Sequence, residues 1–531
     1  MEAGSVFVIG SHPVRDDIIG QFRRLGREVV VSGDRLDSRE AVAGAEFGEW
    51  VVLTSPDAPD ALQEDGRAIE WLRTMARRMS GQDGIRPLVH LLLQTETALS
   101  LLRKMDLPQE INDAFEIRPF TMEDEWARNL FVRLPGGAAF DYPPLDREPI
   151  TADSQRFVHL VICGFDAQAR TVAAQAALVA HFPNYDGKAR NPLRTRITFI
   201  EKDIARDRDA FIASFSQLFD HSFYRTIIPD ARHSVLHKPM YHGRRTDFVD
   251  VEWEFVDAAP SHPEVRRKLR SWACDPNRLL TMVLSGGNDA DCLSAALSMP
   301  EEVFEREIPV LVRQKRDSLS AIVSNVARYR NVRPFGMMHC GYDVTQPLTE
   351  MAKLLKYFYD CSYDERGVPT TLPMSEVEDG WRSERSFAMH YSNICNVMTM
   401  PTKMHSLGHD ASDADIFYAL NRNEIEAMAE TEHNRWSVER LMAGSRPCTD
   451  AEREEIARNI AEIIAAREAG QPLPEDRKRF YKKERNVHYD LCAYEELGRD
   501  ATGKNVKVYD YDLTACIPLI VKSFIDKNRH E

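Results

Sequence analysis

Short apolar runs alternate with segments of helical periodicity through the first two thirds of the chain. The run VHLVIC (158–163) breaks at Gly164, and small residues at helical spacing follow it. This pattern is typical of a strand, a tight turn and a helix whose N-terminus can hold a phosphate. Its recurrence along the chain predicts parallel strands joined by right-handed crossovers, and therefore an α/β fold.

The apolar pattern also repeats at a larger scale. Four segments match four later segments in the same order: VFVIGSH (6–12) with LVICGFD (160–166), VVLTSPDAPDAL (51–62) with MVLSGGNDADCL (282–293), LLLQTETALS (91–100) with LVRQKRDSLS (311–320), and IRPF (117–120) with VRPF (332–335). This repeat predicts two tandem Rossmann-like parallel sheets. The second copy carries an insertion at about 205–245 whose pattern predicts helices and a cover for one edge of the sheet.

From about residue 346 the pattern changes to apolar residues at i, i+3, i+4 and i+7, which indicates amphipathic helices. One predicted helix has an N-cap candidate at Thr449 and a C-cap candidate at Gly470. These changes divide the chain into a degenerate Rossmann-like domain at 1–150, a second Rossmann-like domain at 151–345, and a mainly α-helical region at 346–531.

Composition narrows the class of protein further. The sequence is 43% hydrophobic and 28% charged, as in ordinary globular proteins. It shows no signal-peptide pattern and no apolar stretch of bilayer length. The nine cysteines form no C-x-x-C pair and no zinc-type spacing, which favours a reduced, cytoplasmic setting without a metal. The net charge of −15 disfavours nucleic acid as a partner.

The turn after residue 163 keeps only the first glycine of the dinucleotide pattern G-x-G-x-x-G. Glu201 ends the next predicted strand, where an acid accepts the ribose hydroxyls of an adenosine nucleotide. Gly286, Gly287 and Asn288 follow a later strand, and the two glycines allow a close backbone approach to a ligand. Asp166 replaces the second glycine and repels a pyrophosphate unless an arginine or another cation compensates. Nucleotide binding, retained or altered, and an empty fold both remain open.

The second copy resembles the nucleotide-binding domain of potassium-transport regulators, the TrkA-N or RCK type. The likeness covers about 157–336 and is carried, in order, by VICGFDAQA, ITFIEKD, FVDA, VLSGGNDADCLSAAL and IPVLVRQKRDSL. It implies NAD(H) or another adenosine nucleotide as the cofactor. It also adds Asp257, which follows the third strand, to the binding residues Gly164, Asp166, Glu201, Gly286, Gly287 and Asn288.

The first copy resembles the same family more weakly, over residues 5–120. His12, Pro13 and Arg15 stand in place of the glycine turn, and Ser32 stands in place of the ribose acid. These replacements favour a structural or dimerisation unit over a second nucleotide site.

The helical region contains AETEHNRWSVERLMAG (429–444) and a terminal segment at 486–521. Together they resemble the Ryr domain, the repeat named after ryanodine receptors, over about 377 to the C-terminus. A tryptophan beside arginine and histidine can stack an adenine and hold its phosphates. This interpretation gives a ligand-binding set of Glu432, His433, Arg435, Trp436 and Arg440. The alternative makes Trp436 a core anchor and the ions a solvated capping network.

The sequence contains no nucleophile elbow, zinc-protease motif or phosphate loop, so we assign no catalytic residue. We expect a regulatory or sensor protein that converts nucleotide binding into a conformational or assembly change. The resemblances imply a link to ion transport or nucleotide signalling, a homodimer, and a separate membrane transport protein as partner. An NAD(P)-dependent oxidoreductase and a scaffold with degenerate pockets remain the alternatives.

Overall fold

The computed structural model describes residues 5–36, 48–79, 86–105, 107–135, 142–240, 247–315, 326–363, 372–409, 420–472, 486–500 and 503–529. No helix within these ranges is long and apolar enough to cross a bilayer.

The first sheet has five parallel strands in the order β2-β1-β3-β4-β5. These strands are β1 (Val6–Gly10), β2 (Val29–Val31), β3 (Glu49–Leu53), β4 (Leu88–Leu92) and β5 (Glu116–Phe120). The helices that accompany them are α1 (Arg15–Arg24), α2 (Ala61–Met79), α3 (Glu96–Lys104), α4 (Gln109–Ala114) and α5 (Met122–Phe131). Every residue of β1 is buried, as is typical of a parallel sheet covered on both faces.

The second sheet has eight strands in the order β13-β12-β11-β6-β7-β10-β8-β9. The strands are β6 (Phe157–Cys163), β7 (Thr195–Glu201), β8 (Tyr224–Ile228), β9 (His233–His237), β10 (Val251–Asp257), β11 (Arg278–Leu284), β12 (Val310–Arg313) and β13 (Val332–Phe335). The helices are α6 (Ala167–Val179), α7 (Ala205–Ser214), α8 (Ser216–His221), α9 (Pro263–Cys274), α10 (Asp289–Leu297) and α11 (Glu301–Glu305). Without β8 and β9, the strand order is that of a doubly wound Rossmann sheet.

The repeated sequence segments form corresponding strands of the two sheets. In sheet order, β1, β3, β4 and β5 correspond to β6, β11, β12 and β13. The predicted fold class, two tandem Rossmann-like parallel sheets followed by a mainly helical region, is therefore confirmed. The apolar pattern was sufficient because parallel strands buried on both faces need continuous β-branched runs.

The insertion at about 205–245 is helical in its first half, where α7 and α8 lie within the predicted helical segment RDAFIASFSQLFDHSFY (208–224) or overlap it. The prediction of a helical insertion is wrong beyond them, because β8 and β9 form an antiparallel hairpin that lengthens the sheet beyond β10. The sequence YRTII of β8 is rich in β-branched and aromatic residues, which favour a strand that pairs with a sheet edge. The end of the predicted insertion, 241–246, lies outside the described residues.

The third part is mainly helical. Its helices are α12 (Pro347–Tyr363), α13 (Met374–Ser383), α14 (Phe387–Met398), α15 (Met400–Ser406), α16 (Arg422–Met442), α17 (Asp450–Glu468), α18 (Lys507–Ala515) and α19 (Ile517–Arg529). Two short parallel strands, β14 (Arg446–Pro447) and β15 (Val487–His488), pair beside them. The Thr449 side chain accepts a hydrogen bond from the Glu452 amide, which confirms the predicted N-cap of α17.

One of the apolar clusters of the molecule is shared by the three parts. Helix α5 packs against α6, α14 contacts α3, and α16 contacts both α6 and α8. One buried cluster joins Leu130 of α5 and Val172 of α6 with Val438 and Leu441 of α16. Helix α6 therefore contacts both of the other parts while its N-terminus follows directly from β6.

Candidate functional site

The carboxyl ends of β6 and β11 meet at the switch point of the second sheet, and two glycines allow them to approach closely. Gly164 has a φ of 120°, and a Cβ at this position would lie 2.4 Å from the backbone nitrogen of Gly286. A Cβ on Gly286 would lie 3.1 Å from the Cα of Gly164. Only glycine fits at Gly164, because both the backbone conformation and the space exclude a side chain.

Asp166 caps the N-terminus of α6 and is neutralised by an arginine. Its Oδ1 accepts hydrogen bonds from the Ala169 amide at 2.8 Å and from Ser285 Oγ at 2.9 Å. Its Oδ2 accepts one from Arg313 Nη1 at 2.7 Å. Arg313 thus supplies the compensating charge that the sequence required of a nucleotide site with a carboxylate in this turn.

Glu201 ends β7, the strand beside β6, and its carboxylate lies near the same turn. Its Oε1 accepts a hydrogen bond from the Lys202 amide at 3.0 Å, and its Oε2 lies 3.3 Å from the position of a Cβ on Gly286. Burial raises the pKa of Glu201, and the negative charge of Asp166 adds to this effect. The structure therefore places the Glu201 carboxylate beside Gly286.

Asp257 lies level with Glu201 on the neighbouring strand β10. Its Oδ1 accepts a hydrogen bond from the Asp203 amide at 2.7 Å. Asp203 has a positive φ of 59°, so this bond stabilises a turn conformation that is unfavourable for a non-glycine residue. In this structure Asp257 shapes the loop after β7.

Gly287 and Asn288 shape the turn that leads into α10. Gly287 has a φ of 87°, and a Cβ there would lie 2.9 Å from Oδ2 of Asp291. The Asn288 side chain accepts hydrogen bonds from the amides of Ala290 and Asp291 and forms a capping box with Asp291. Both residues hold the backbone of the turn.

Several residues at this edge were not predicted from the sequence. They are Ser285 and Arg313, which contact Asp166, and Arg170, whose Nη1 donates to the carbonyl oxygen of Phe165 at 3.0 Å. The first part contributes Glu123, whose pKa is raised by burial and which also interacts with the charges of Arg313 and Asp166. The position of Arg313 at the end of β12 was the available signal, because the carboxyl ends of parallel strands share one edge.

The corresponding edge of the first sheet is filled by its own side chains. A Cβ on Gly10 would lie 1.9 Å from the carbonyl oxygen of Leu53. Arg15 Nη1 donates to the Gly10 carbonyl oxygen at 3.2 Å and also pairs with Asp34. His12 Nδ1 accepts from the Val14 amide, and burial lowers the pKa of His12 to about 4. The residues that replace the glycine turn therefore stabilise the turn itself.

In the helical part, Glu432 and Arg435 belong to a buried ion network. Arg435 donates to both carboxylate oxygens of Glu432 at 2.8–3.0 Å and to Oε2 of Glu439 at 2.7 Å. Lys403 also pairs with Glu432. The four side chains are no more than 7% exposed. The network joins α15 to α16 in the interior, and it is not the solvated set considered from the sequence.

The remaining predicted residues of α16 stand at i, i+3 and i+7, so they share one stripe of the helix. His433 is buried with its Nε2 2.8 Å from the Cys492 carbonyl oxygen, and burial lowers its pKa to about 4. Trp436 is half-buried, stacks against His433 and meets His488 edge-on at 4.7 Å. Burial lowers the pKa of His488 to about 3, and the charge of Arg440, which also lines a cleft between the three parts, adds to this effect. The five predicted residues are therefore divided between this stripe and the buried ion network.

Comparison with known proteins assigns no family. No family model and no curated protein matches the chain. Among solved structures, the human SLO3 gating ring matches at 10% identity and a TM-score of 0.35, over 63% of this chain and 80% of that one. NtrX from Brucella abortus matches at 10% identity and a TM-score of 0.15, over 89% of this chain and 97% of that one. NtrX in complex with ADP matches at 12% identity and the same TM-score, over 88% and 97% of the two chains. These distant likenesses establish neither a family nor a function.

Proposed function

We propose that the chain is a regulatory protein whose second sheet binds an adenosine nucleotide at the switch point between β6 and β11. The observation that carries this proposal is the position of the Glu201 carboxylate beside the Gly164–Gly286 contact. An acid at the end of the second strand, next to a glycine turn, suits the two hydroxyls of an adenosine ribose. NAD(H) and related adenosine nucleotides are the ligands of matching chemistry.

The phosphates of such a nucleotide lie over the N-terminus of α6, where backbone N–H groups and the helix dipole favour negative charge. Arg313 and Arg170 add positive charge at this end of the helix. Asp166 opposes it and shares Arg313, so the site selects a ligand that competes with Asp166 for that arginine. This competition is the difference between the proposed site and an ordinary dinucleotide turn.

Helix α6 provides a route from this site to the rest of the molecule. Gln168 Nε2 donates to the Glu123 carbonyl oxygen at 3.2 Å, and Gln175 Nε2 donates to Asp124 Oδ1 at 2.8 Å. A ligand that binds one arrangement of α6 and α5 more tightly than another shifts the population toward it. The proposed output is a change in domain arrangement or in assembly. The proposed partners are a second copy of the chain, in a homodimer, and a separate membrane transport protein.

The first experiment identifies a nucleotide. We would denature the purified protein, analyse the released small molecules by mass spectrometry, and titrate the protein with NAD(H), ADP-ribose, ADP and AMP by calorimetry. We expect binding without turnover. Hydride transfer to a substrate would show that the protein is an oxidoreductase and not a sensor. No binding of any nucleotide in the panel would favour a scaffold.

The second experiment tests the site. Glu201→Ala should weaken nucleotide binding at least tenfold, about 1.4 kcal/mol, because the ribose hydroxyls lose their carboxylate acceptor. Glu305→Ala is the matched control, since Glu305 is an exposed glutamate at the end of α11, outside the switch point. Equal affinity in the wild type and in Glu201→Ala would refute the site.

A further inference from the structure

A second cleft lies where the three parts of the molecule meet. Its walls come from α3 of the first part, from α6 and the α7–α8 corner of the second part, and from α14 and α16 of the helical part. The space in the cleft that admits the centre of a water-sized molecule is about 70 Å³. One ordered water needs about 10–15 Å³ on this measure, so the cleft is several times larger than a single-water site.

One wall of the cleft is apolar. Leu99, Leu178, Phe215 and Met442 line it, and they come from all three parts of the molecule. The cleft is also lined by Arg103, whose guanidinium carbon lies 4.0 Å from the centre of the Tyr391 ring. Aliphatic and aromatic side chains such as these pack against the face of a flat apolar group.

The charged groups of the cleft leave an excess of positive charge. Arg103 is paired with Asp124 at 2.7 Å, and Glu439 is paired with Arg435. Lys104 and Arg440 form no ion pair with any described residue, although Lys104 interacts with the charge of Glu96. Glu96 is also the one lining carboxylate without an ion pair within the described ranges. The two cations, Lys104 and Arg440, therefore outnumber the one acid, Glu96, and this excess of positive charge favours the binding of an anion.

The lining residues include buried polar atoms that have no hydrogen-bond partner among the described residues. Among these atoms are Oε1 of Gln175, a residue that is 2% exposed, and the Nε atoms of Arg103 and Arg440. A buried polar group without a partner costs about 1–3 kcal/mol. A ligand with an acceptor for Arg440 and a donor for Gln175 would remove this cost.

We propose that this cleft binds a small organic anion with a planar apolar part, such as an aromatic carboxylate, sulfonate or phosphate. The anionic group lies between Lys104 and Arg440, and the planar part packs against Leu99, Phe215 and Met442. Because the walls belong to three parts of the chain, the ligand favours the arrangement in which they are together. This site is separate from the switch point of the second sheet and does not depend on it.

The test uses 8-anilinonaphthalene-1-sulfonate, a fluorescent aromatic sulfonate, with the full-length protein. N-phenyl-1-naphthylamine, which has the same rings and no sulfonate, is the neutral comparison. We expect one saturable site for the sulfonate and at least tenfold weaker binding of the amine. Arg440→Gln should weaken sulfonate binding at least fivefold, and Arg458→Gln, a change at an exposed arginine of α17, should leave it unchanged.

A second variant does not depend on charge. Ser100→Trp places a large ring in the cleft from the α3 side and should abolish sulfonate binding, while saturating NAD(H) should not displace the dye. Thermal unfolding of each variant shows that it is folded. Equal affinity for the sulfonate and the amine, unchanged binding in Ser100→Trp, or loss of binding in Arg313→Gln but not in Arg440→Gln would each overturn the proposal.

Discussion

Replacing Arg435 by methionine should destabilise the protein more than any surface substitution. The Arg435 side chain is 1% exposed and bonds to two carboxylates. Methionine removes the charge and keeps much of the volume. Glu439 then retains the Ser392 hydroxyl at 3.2 Å, and Glu432 retains Lys403 and the Asn396 amide at 2.8 Å.

The magnitude follows from the charge that is left behind. Removing one partner of a buried ion pair costs about 3–5 kcal/mol, chiefly because the other charge stays buried without compensation. Glu439 is the carboxylate exposed to this cost, since Lys403 still neutralises Glu432. Adding Glu439→Gln to the methionine variant should therefore recover part of the loss, whereas two independent sites would give additive losses.

The same network makes a pH prediction. Burial alone would raise the pKa of Glu432, but Arg435 and Lys403 overcome this effect and lower it to about 2. A folded-state pKa below the unfolded value stabilises the protein above pH 4.5, and this stability is lost as the pH falls toward 2. The loss amounts to about 3 kcal/mol and should be smaller in Arg435→Met.

The assay is urea denaturation followed by circular dichroism, with Arg458→Met as the exposed control on α17. We expect a lower urea midpoint for Arg435→Met at pH 7 and a partial recovery in the double variant. A loss of less than about 1 kcal/mol relative to the control would refute the reasoning, since losses of this size are typical of surface ion pairs.

Three further predictions concern single side chains. Gly164→Ala should lower stability by about 2 kcal/mol or more and reduce nucleotide binding, because its Cβ would meet Gly286 at a positive φ; thermal unfolding and calorimetry check this, and an unchanged melting temperature would contradict it. Asp166→Asn keeps the helix cap and releases Arg313, so calorimetry should show a nucleotide affinity about fivefold higher, or about 1 kcal/mol of binding free energy, at unchanged stability. Weaker binding would mean that Asp166 contacts the ligand. Burial raises the pKa of Asp490 to about 6, so the folded state loses stability as the pH rises from 4 through 6. The free energy of unfolding of Asp490→Asn should therefore exceed that of the wild type by about 3 kcal/mol at pH 8 and equal it at pH 4, and equal urea midpoints of the two proteins at pH 8 would contradict this.

Periodicity was a sound guide to the sheets because the strands are short, apolar and repeated. The match of VVL (51–53) with MVL (282–284) placed β3 and β11 at the same position of two sheets. The hairpin of β8 and β9 was missed because its residues alternate weakly and it is stabilised by pairing with β10, a contact that no local pattern records.

The candidate site was predictable only where a residue stands at or next to the end of a strand. Gly164 and Gly286 lie within two residues of the ends of β6 and β11, and Glu201 ends β7, so sequence order located them. Arg313 comes from a strand almost 150 residues beyond Asp166, and its pairing with Asp166 depends on the sheet order. The cleft at the junction of the three parts could not be predicted, because Lys104 and Arg440 line the same cleft only through the packing of helices from different parts of the chain.

Helix α6 connects the two proposed binding sites, so it would carry any influence of one on the other. Its first residue follows Asp166, and twelve residues later it ends at the apolar wall of the cleft beside Leu178. Gln175 contacts Asp124, which in turn holds Arg103 at the cleft. A nucleotide that draws Arg313 away from Asp166 acts on the N-terminus of this helix, and an anion in the cleft acts on its C-terminal half. The two ligands therefore couple only if α6 has two arrangements that each of them distinguishes, since a ligand indifferent to the arrangement shifts nothing.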